Sequence, residues 1–135
     1  MSAKVIIIIG LPGSGKTTYA NMNYDEEYVI FDDFVTKFFN GLVIKNIKLN
    51  NKVCLIDPRL CDIDIFNRYL NELLKYVELD KIKIIAFEND KKTCLINIVK
   101  RNDKRNVSDT IINYSKIYSI DNYKKYDPLV ISCWK

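Results

Sequence analysis

No histidine occurs among the 135 residues of this chain. Any proton transfer it performs must therefore run through a carboxylate, lysine, tyrosine, cysteine or bound water. Cys54, Cys61, Cys94 and Cys133 contain no C-x-x-C pair, so the usual thiolate–imidazole zinc patterns are excluded as well. The four read as reduced thiols, several of them in the core. No run of eighteen or more apolar residues is present, which leaves no membrane-spanning helix. Val5–Ile9 is too short for the apolar part of a signal peptide, and Gly10-Leu11-Pro12-Gly13 interrupts it at once. A cytoplasmic protein with no membrane partner is expected. Linkers, repeats and low-complexity tracts are also missing, so residues 1–135 read as a single domain.

Arginine is scarce, only four of the 21 basic residues, while isoleucine and asparagine are abundant. That bias suits an AT-rich coding sequence, as in some viruses and intracellular bacteria, so a virus-encoded protein acting in its host cell is one expectation. The formal net charge of +4 is compatible with an anionic partner without demanding one.

Against these absences, 48% of the residues are apolar, enough for a chain of this length to fold alone. Lys4–Ile9 is a continuous β-branched run that predicts a buried parallel strand. Strands are also expected at Tyr28–Phe31, Val53–Ile56, Ile82–Phe87 and Leu129–Cys133. Between them, helical spacing predicts helices over Thr17–Asn23, from Phe34 to near Gly41, and from Ile63 to Val77 with Asp62 as cap. Two more follow: one over Lys91–Arg105 with Leu95, Ile98 and Val99 inward, and one capped by Ser108. Such alternation predicts an α/β domain with a mainly parallel sheet and helices on both faces. Ligands of such sheets sit beyond the carboxyl ends of the strands, where Gly10–Thr17, Asp32 and Asp57 all fall.

The strongest chemical signal is Gly10-Leu11-Pro12-Gly13-Ser14-Gly15-Lys16-Thr17, which fits the P-loop pattern G-x-x-x-x-G-K-[ST] between a strand and a helix. Glycines let backbone N–H groups converge on phosphate oxygens, and the helix start adds free amides and a positive dipole end. Gly10, Pro12, Gly13, Ser14, Gly15, Lys16, Thr17 and Thr18 are the expected nucleotide-binding residues. Lys16 reaches the β- and γ-phosphates, and the Thr17 hydroxyl is a ligand for Mg²⁺.

Asp32 follows a strand beside this loop. It either accepts a proton from a substrate hydroxyl, helps hold Mg²⁺ through water, or is a turn residue. Asp33 reads as a cap or first residue of the next helix. Asp57 closes an apolar strand as a Walker-B carboxylate does; it either serves there, orients substrate, or turns the chain before Pro58. Arg101 and Arg105 share one helix face at a spacing of four, either as a clamp on phosphates or as a solvated basic surface. The late tyrosines, Tyr114, Tyr118, Tyr123 and Tyr126, fit core packing better than base stacking.

The order G-L-P-G-S-G-K-T-T, Asp-Asp after the second strand, an apolar strand ending in Asp, and K-R-N-D-K-R resembles the 5′-kinase domain of the bacteriophage polynucleotide kinase family, from Lys4 to about Ile120. The resemblance implies a three-layer P-loop NTPase-type sandwich with four or five strands and a C-terminal helical lid. It implies transfer of the γ-phosphate of ATP to the 5′-hydroxyl of a nucleic acid or nucleotide. Lys16 and Thr17 would hold phosphates and Mg²⁺, Asp32 would be the general base, and Arg105 would stabilise the transferring phosphate. Arg101 would clamp the nucleotide, and Asp57 would line the substrate channel. Two departures stand out. Val35 occupies the position where that family carries a phosphate-gripping arginine, and the segment between Asp33 and Val53 is short. They keep open a small hydroxylated metabolite or nucleoside as acceptor, or an ATP-binding module without catalysis.

Overall fold

The computed structural model describes residues 3–101 and 107–134. β1 (Val5–Ile9) is an unbroken β-branched run, and every one of its residues is buried. Such side chains are stiff at χ1 and suit a pleated surface covered on both faces. β3 (Val53–Ile56) is equally buried, and β4 (Ile82–Phe87) exposes only Lys83. β2 (Val29–Asp32) and β5 (Leu129–Ile131) are the partly exposed edges. The strand order is β2-β3-β1-β4-β5, and all four pairings are parallel. The expected α/β class holds, with five strands and a wholly parallel sheet.

Parallel neighbours need crossovers, and here they cover both faces of the sheet. On one side α1 (Lys16–Tyr24) lays Ala20 against Ile6, Ile8, Cys54, Ile56, Ile85 and Phe87. On the other, α2 (Phe34–Phe39), α3 (Leu42–Lys48), α4 (Ile63–Leu73), α5 (Lys91–Lys100) and α6 (Ser108–Ile117) cover Val5, Ile7 and Ile9 with their neighbours. α4 is the clearest amphipathic element. The Asp62 side chain caps it by accepting from the Asp64 amide at 2.9 Å, and Phe66, Tyr69, Leu70 and Leu73 form its buried stripe. Truncating Phe66 to alanine should cost about 3–5 kcal/mol. Tyr118 and Tyr123 are core residues whose hydroxyls donate to the Phe87 and Leu60 carbonyls, as expected for packing tyrosines. All four cysteines are free and buried. Among the described residues no helix is long and apolar enough to cross a membrane.

Some expectations are corrected. Gly41 does not simply stop a helix: at φ +76° it turns the chain directly into α3, an element the sequence pattern did not predict. α5 ends at Lys100 with Arg101 as its C-cap; Cys94 and Ile98 are buried and Leu95 packs against the core, while Val99 is 77% exposed. Residues 102–106, and with them Arg105, lie outside the described residues. Val107, not Ser108, precedes the first turn of α6, and no side chain caps it. Asp33 does precede α2, but at φ +61° and without a side-chain cap bond.

Candidate functional site

The register brings the chemistry to one edge. Ile8 pairs with Ile56 and Ile56 with Asp32, so Gly10, Asp32 and Asp57 emerge together at the carboxyl ends of the central strands. After β1 the chain turns back, with the Ser14 amide donating to the Leu11 carbonyl at 3.1 Å. Gly13 (φ +82°) and Gly15 (φ +102°) hold left-handed conformations that a Cβ would strain. Neither has room for one: it would lie 2.7 Å from the Cys94 carbonyl oxygen at Gly13, and 2.5 Å from the Trp134 Cβ at Gly15. The loop is thus packed from behind by α5 and by the segment after β5.

α1 starts at Lys16 with no side-chain cap and no acidic residue in its first turn. The first amides of a helix have no acceptor inside it, so this end presents donors and positive potential to an anion. Lys16 is 7% exposed, and its ammonium group donates to the Leu11 carbonyl at 2.7 Å. Burial holds its pKa below the ordinary lysine value, partly opposed by negative neighbours that include Asp32 and Asp57.

Thr17 and Asp32 are exposed and joined: the hydroxyl donates to the carboxylate at 3.0 Å. Pro12, Gly13, Gly15, Lys16, Thr17, Thr18, Asp32 and Arg101 border one cleft of about 370 Å³, closed further by Pro58, Val107 and Thr110. Gly10 and Ser14 lie beneath it and shape the turn; a Cβ on Gly10 would meet the Ser14 Oγ at 2.7 Å.

Asp57 is placed differently from a substrate contact. It is fully buried, accepting from the Val35 amide at 3.0 Å and from the Arg59 amide, Nε and a terminal nitrogen at 2.9 Å each. The turn role is the one this geometry favours, since Asp57 caps a single 3₁₀ turn, Pro58–Cys61. Arg59 also pairs with Asp33, which fastens the end of β3 to the end of β2. Its pKa is raised, chiefly by the hydrogen bonds to Asp57.

Sequence reasoning missed Arg59, although an Asp-Pro-Arg start to a turn is a recognisable capping pattern. It missed Asn97 too, whose amide donates to the Gly13 carbonyl at 2.9 Å and to the Trp134 carbonyl at 2.5 Å. No short motif marks such a residue. For Mg²⁺ the fit is favourable. The Thr17 hydroxyl directs its proton to Asp32, leaving oxygen lone pairs for a hard cation beside a carboxylate.

No family model matches the sequence. The chain is 38% identical over 130 residues to uncharacterized protein R277 of Acanthamoeba polyphaga mimivirus, covering 94% of each protein. A viral relative accords with the lysine-, isoleucine- and asparagine-rich composition. With identity at this level along nearly the whole length, the chain belongs to the same protein family as this mimivirus protein.

Proposed function

We propose that this protein is a P-loop phosphotransferase that moves the γ-phosphate of ATP to a hydroxyl, in first place the 5′-hydroxyl of a polynucleotide or nucleotide. One observation carries the reading. A glycine loop, an uncapped helix start, a buried lysine and an exposed carboxylate converge on a single cleft at the carboxyl edge of a parallel sheet. In this reading the loop amides and Lys16 hold the triphosphate, and Arg101 closes on it from the end of α5. Thr17, with Asp32 nearby, would hold Mg²⁺, which supplies charge neutralisation at the phosphate oxygens. Asp32 takes the proton from the attacking hydroxyl as the phosphoryl group passes in line, and Lys16 offsets the charge that spreads over it. Arg105 joins Lys16 in that task on the strength of the resemblance. The three-layer body is then of P-loop NTPase type, with α5 and α6 as its helical lid. The setting is the cytoplasm of an infected cell.

A second reading, a kinase of a small hydroxylated metabolite or nucleoside, is favoured by Arg59. The basic group nearest the Asp-Asp pair is already engaged by two carboxylates, so it offers little to a substrate phosphate.

The test is label transfer from γ-labelled ATP with Mg²⁺ to a short 5′-hydroxyl oligonucleotide, beside an Asp32→Ala control. Label that disappears in the control supports the first reading. Nucleotide binding with transfer only to nucleosides or metabolites supports the second. Binding without transfer to any acceptor would overturn the enzymatic reading.

A further inference from the structure

The chain has a single tryptophan, Trp134, and it is placed against the phosphate loop. Its backbone is pinned on both sides. The Trp134 amide donates to the Ser14 carbonyl at 2.9 Å, and its carbonyl accepts from Asn97 at 2.5 Å. Its Cβ occupies the space that glycine at position 15 leaves open. Yet the residue is 49% exposed. The main chain is fixed while the residue borders a second cleft.

That cleft holds about 340 Å³, within the range of small-molecule pockets. It is bordered by Gly13, Gly15, Asn97, Lys100, Arg101 and Trp134, and it shares Gly13, Gly15, Thr18 and Arg101 with the phosphate cleft. A molecule whose phosphates sit on the loop therefore has room to extend its other end toward Trp134. The planar guanidinium group of Arg101 and an aromatic ring suit a flat heterocycle.

The Asn97 amide protons are already engaged and do not read a base edge. Both protons of the Asn97 amide are directed at the Gly13 and Trp134 carbonyls. The buried polar residues among those described are Ser14, Lys16 and Asp57, and none of them borders this second cleft. Strong discrimination between bases needs buried donors and acceptors aimed at the edge, whereas stacking tolerates any base because each has a π-face.

Resting on the reading of the loop as a triphosphate site, we propose that Trp134 is the nucleobase platform of the donor site. It selects for a stacked heterocycle without reading its edge and leaves adenine and guanine nearly equivalent, so the donor class is nucleoside triphosphates rather than ATP alone.

The test uses the full chain with Mg²⁺ and follows the fluorescence of the sole tryptophan as ATP, GTP and inorganic tripolyphosphate are titrated in, with calorimetry for the variants. ATP and GTP should both quench the signal and bind within about 5-fold of each other. Trp134→Ala should weaken both by roughly 5- to 100-fold while tripolyphosphate affinity stays unchanged, and Trp134→Phe should recover most of the loss. Unaltered ATP affinity in Trp134→Ala, alongside lost affinity in Lys16→Ala, would overturn the platform and leave the phosphate site standing. Unaltered affinity in both variants would overturn the two together. A preference for ATP over GTP beyond about 30-fold would overturn the base-tolerant part.

Discussion

The Thr17 hydroxyl donates to the Asp32 carboxylate across 3.0 Å, joining the first turn of α1 to the last residue of β2. This bond holds the proposed base at the same point where the phosphates would lie. Asp32→Asn keeps the shape and removes the base. Turnover should then fall by about 10²–10⁴-fold with nucleotide affinity nearly unchanged. Single-turnover transfer and calorimetric titration of the same preparation separate the two effects. Near-normal turnover would remove Asp32 from the mechanism.

The brace beneath the cleft is a question of stability. Asp57 is fully buried and Arg59 is 40% exposed at its side chain, so cutting the pair strands a carboxylate or its donors inside the protein. Asp57→Ala should destabilise the fold by about 3 kcal/mol, read from urea unfolding. Arg59→Lys should cost less but loosen the Asp33 contact, because an ammonium group cannot reproduce the forked bonds. An Asp57→Ala protein as stable as the parent would contradict the brace.

Lys16 links the loop to alkaline pH. Burial lowers its folded pKa, so between that value and the ordinary lysine value the unfolded chain binds more protons than the folded one. Stability attributable to Lys16 therefore rises with pH across that window, and its penalty is fully present below it. The stability of the parent minus that of Lys16→Met, followed by denaturant unfolding from about pH 8 upward, should increase. Bound nucleotide, by stabilising the charged ammonium, should flatten the slope.

Gly15→Ala combines a left-handed backbone with a Cβ placed on that of Trp134. The cost should be about 1–3 kcal/mol, and the nucleotide-induced rise in melting temperature should shrink as well, since Trp134 must move. Gly41→Ala carries the same kind of φ with open space around it. It should lose some stability and keep the full nucleotide response, which makes it the matched control in a thermal-shift comparison.

The fold was legible where side-chain chemistry is local. The β-branched runs marked β1, β3 and β4, and the Phe66–Leu70–Leu73 spacing marked α4, because each pattern encodes its own burial. α3 was hidden because only Val43 of its residues is fully buried and Gly41 reads as a stop. Helical spacing alone does not separate Val99 from the packed face of α5, which holds Cys94, Leu95 and Ile98. Within the site, the loop and Asp32 announced themselves by position after strands. Asp57 left three roles open, because its partners Val35 and Arg59 are set by tertiary structure. Arg59 on Asp33, and Trp134 behind Ser14, arise from chain segments far apart in sequence, which no local pattern can report.

The bond from the Trp134 amide to the Ser14 carbonyl has a kinetic consequence. The glycine loop follows β1, but its back wall is supplied near residue 134, and β1 lies in the middle of the sheet between β3 and β4. Contacts of such wide separation close late, after most loop-closure entropy has been lost. A half-assembled chain would therefore carry the full motif and still fail to recognise nucleotide. Conversely, ligand held in the finished loop ties the first strand to the last, so it should protect amide hydrogens across the whole sheet from exchange and not only those beside the phosphates.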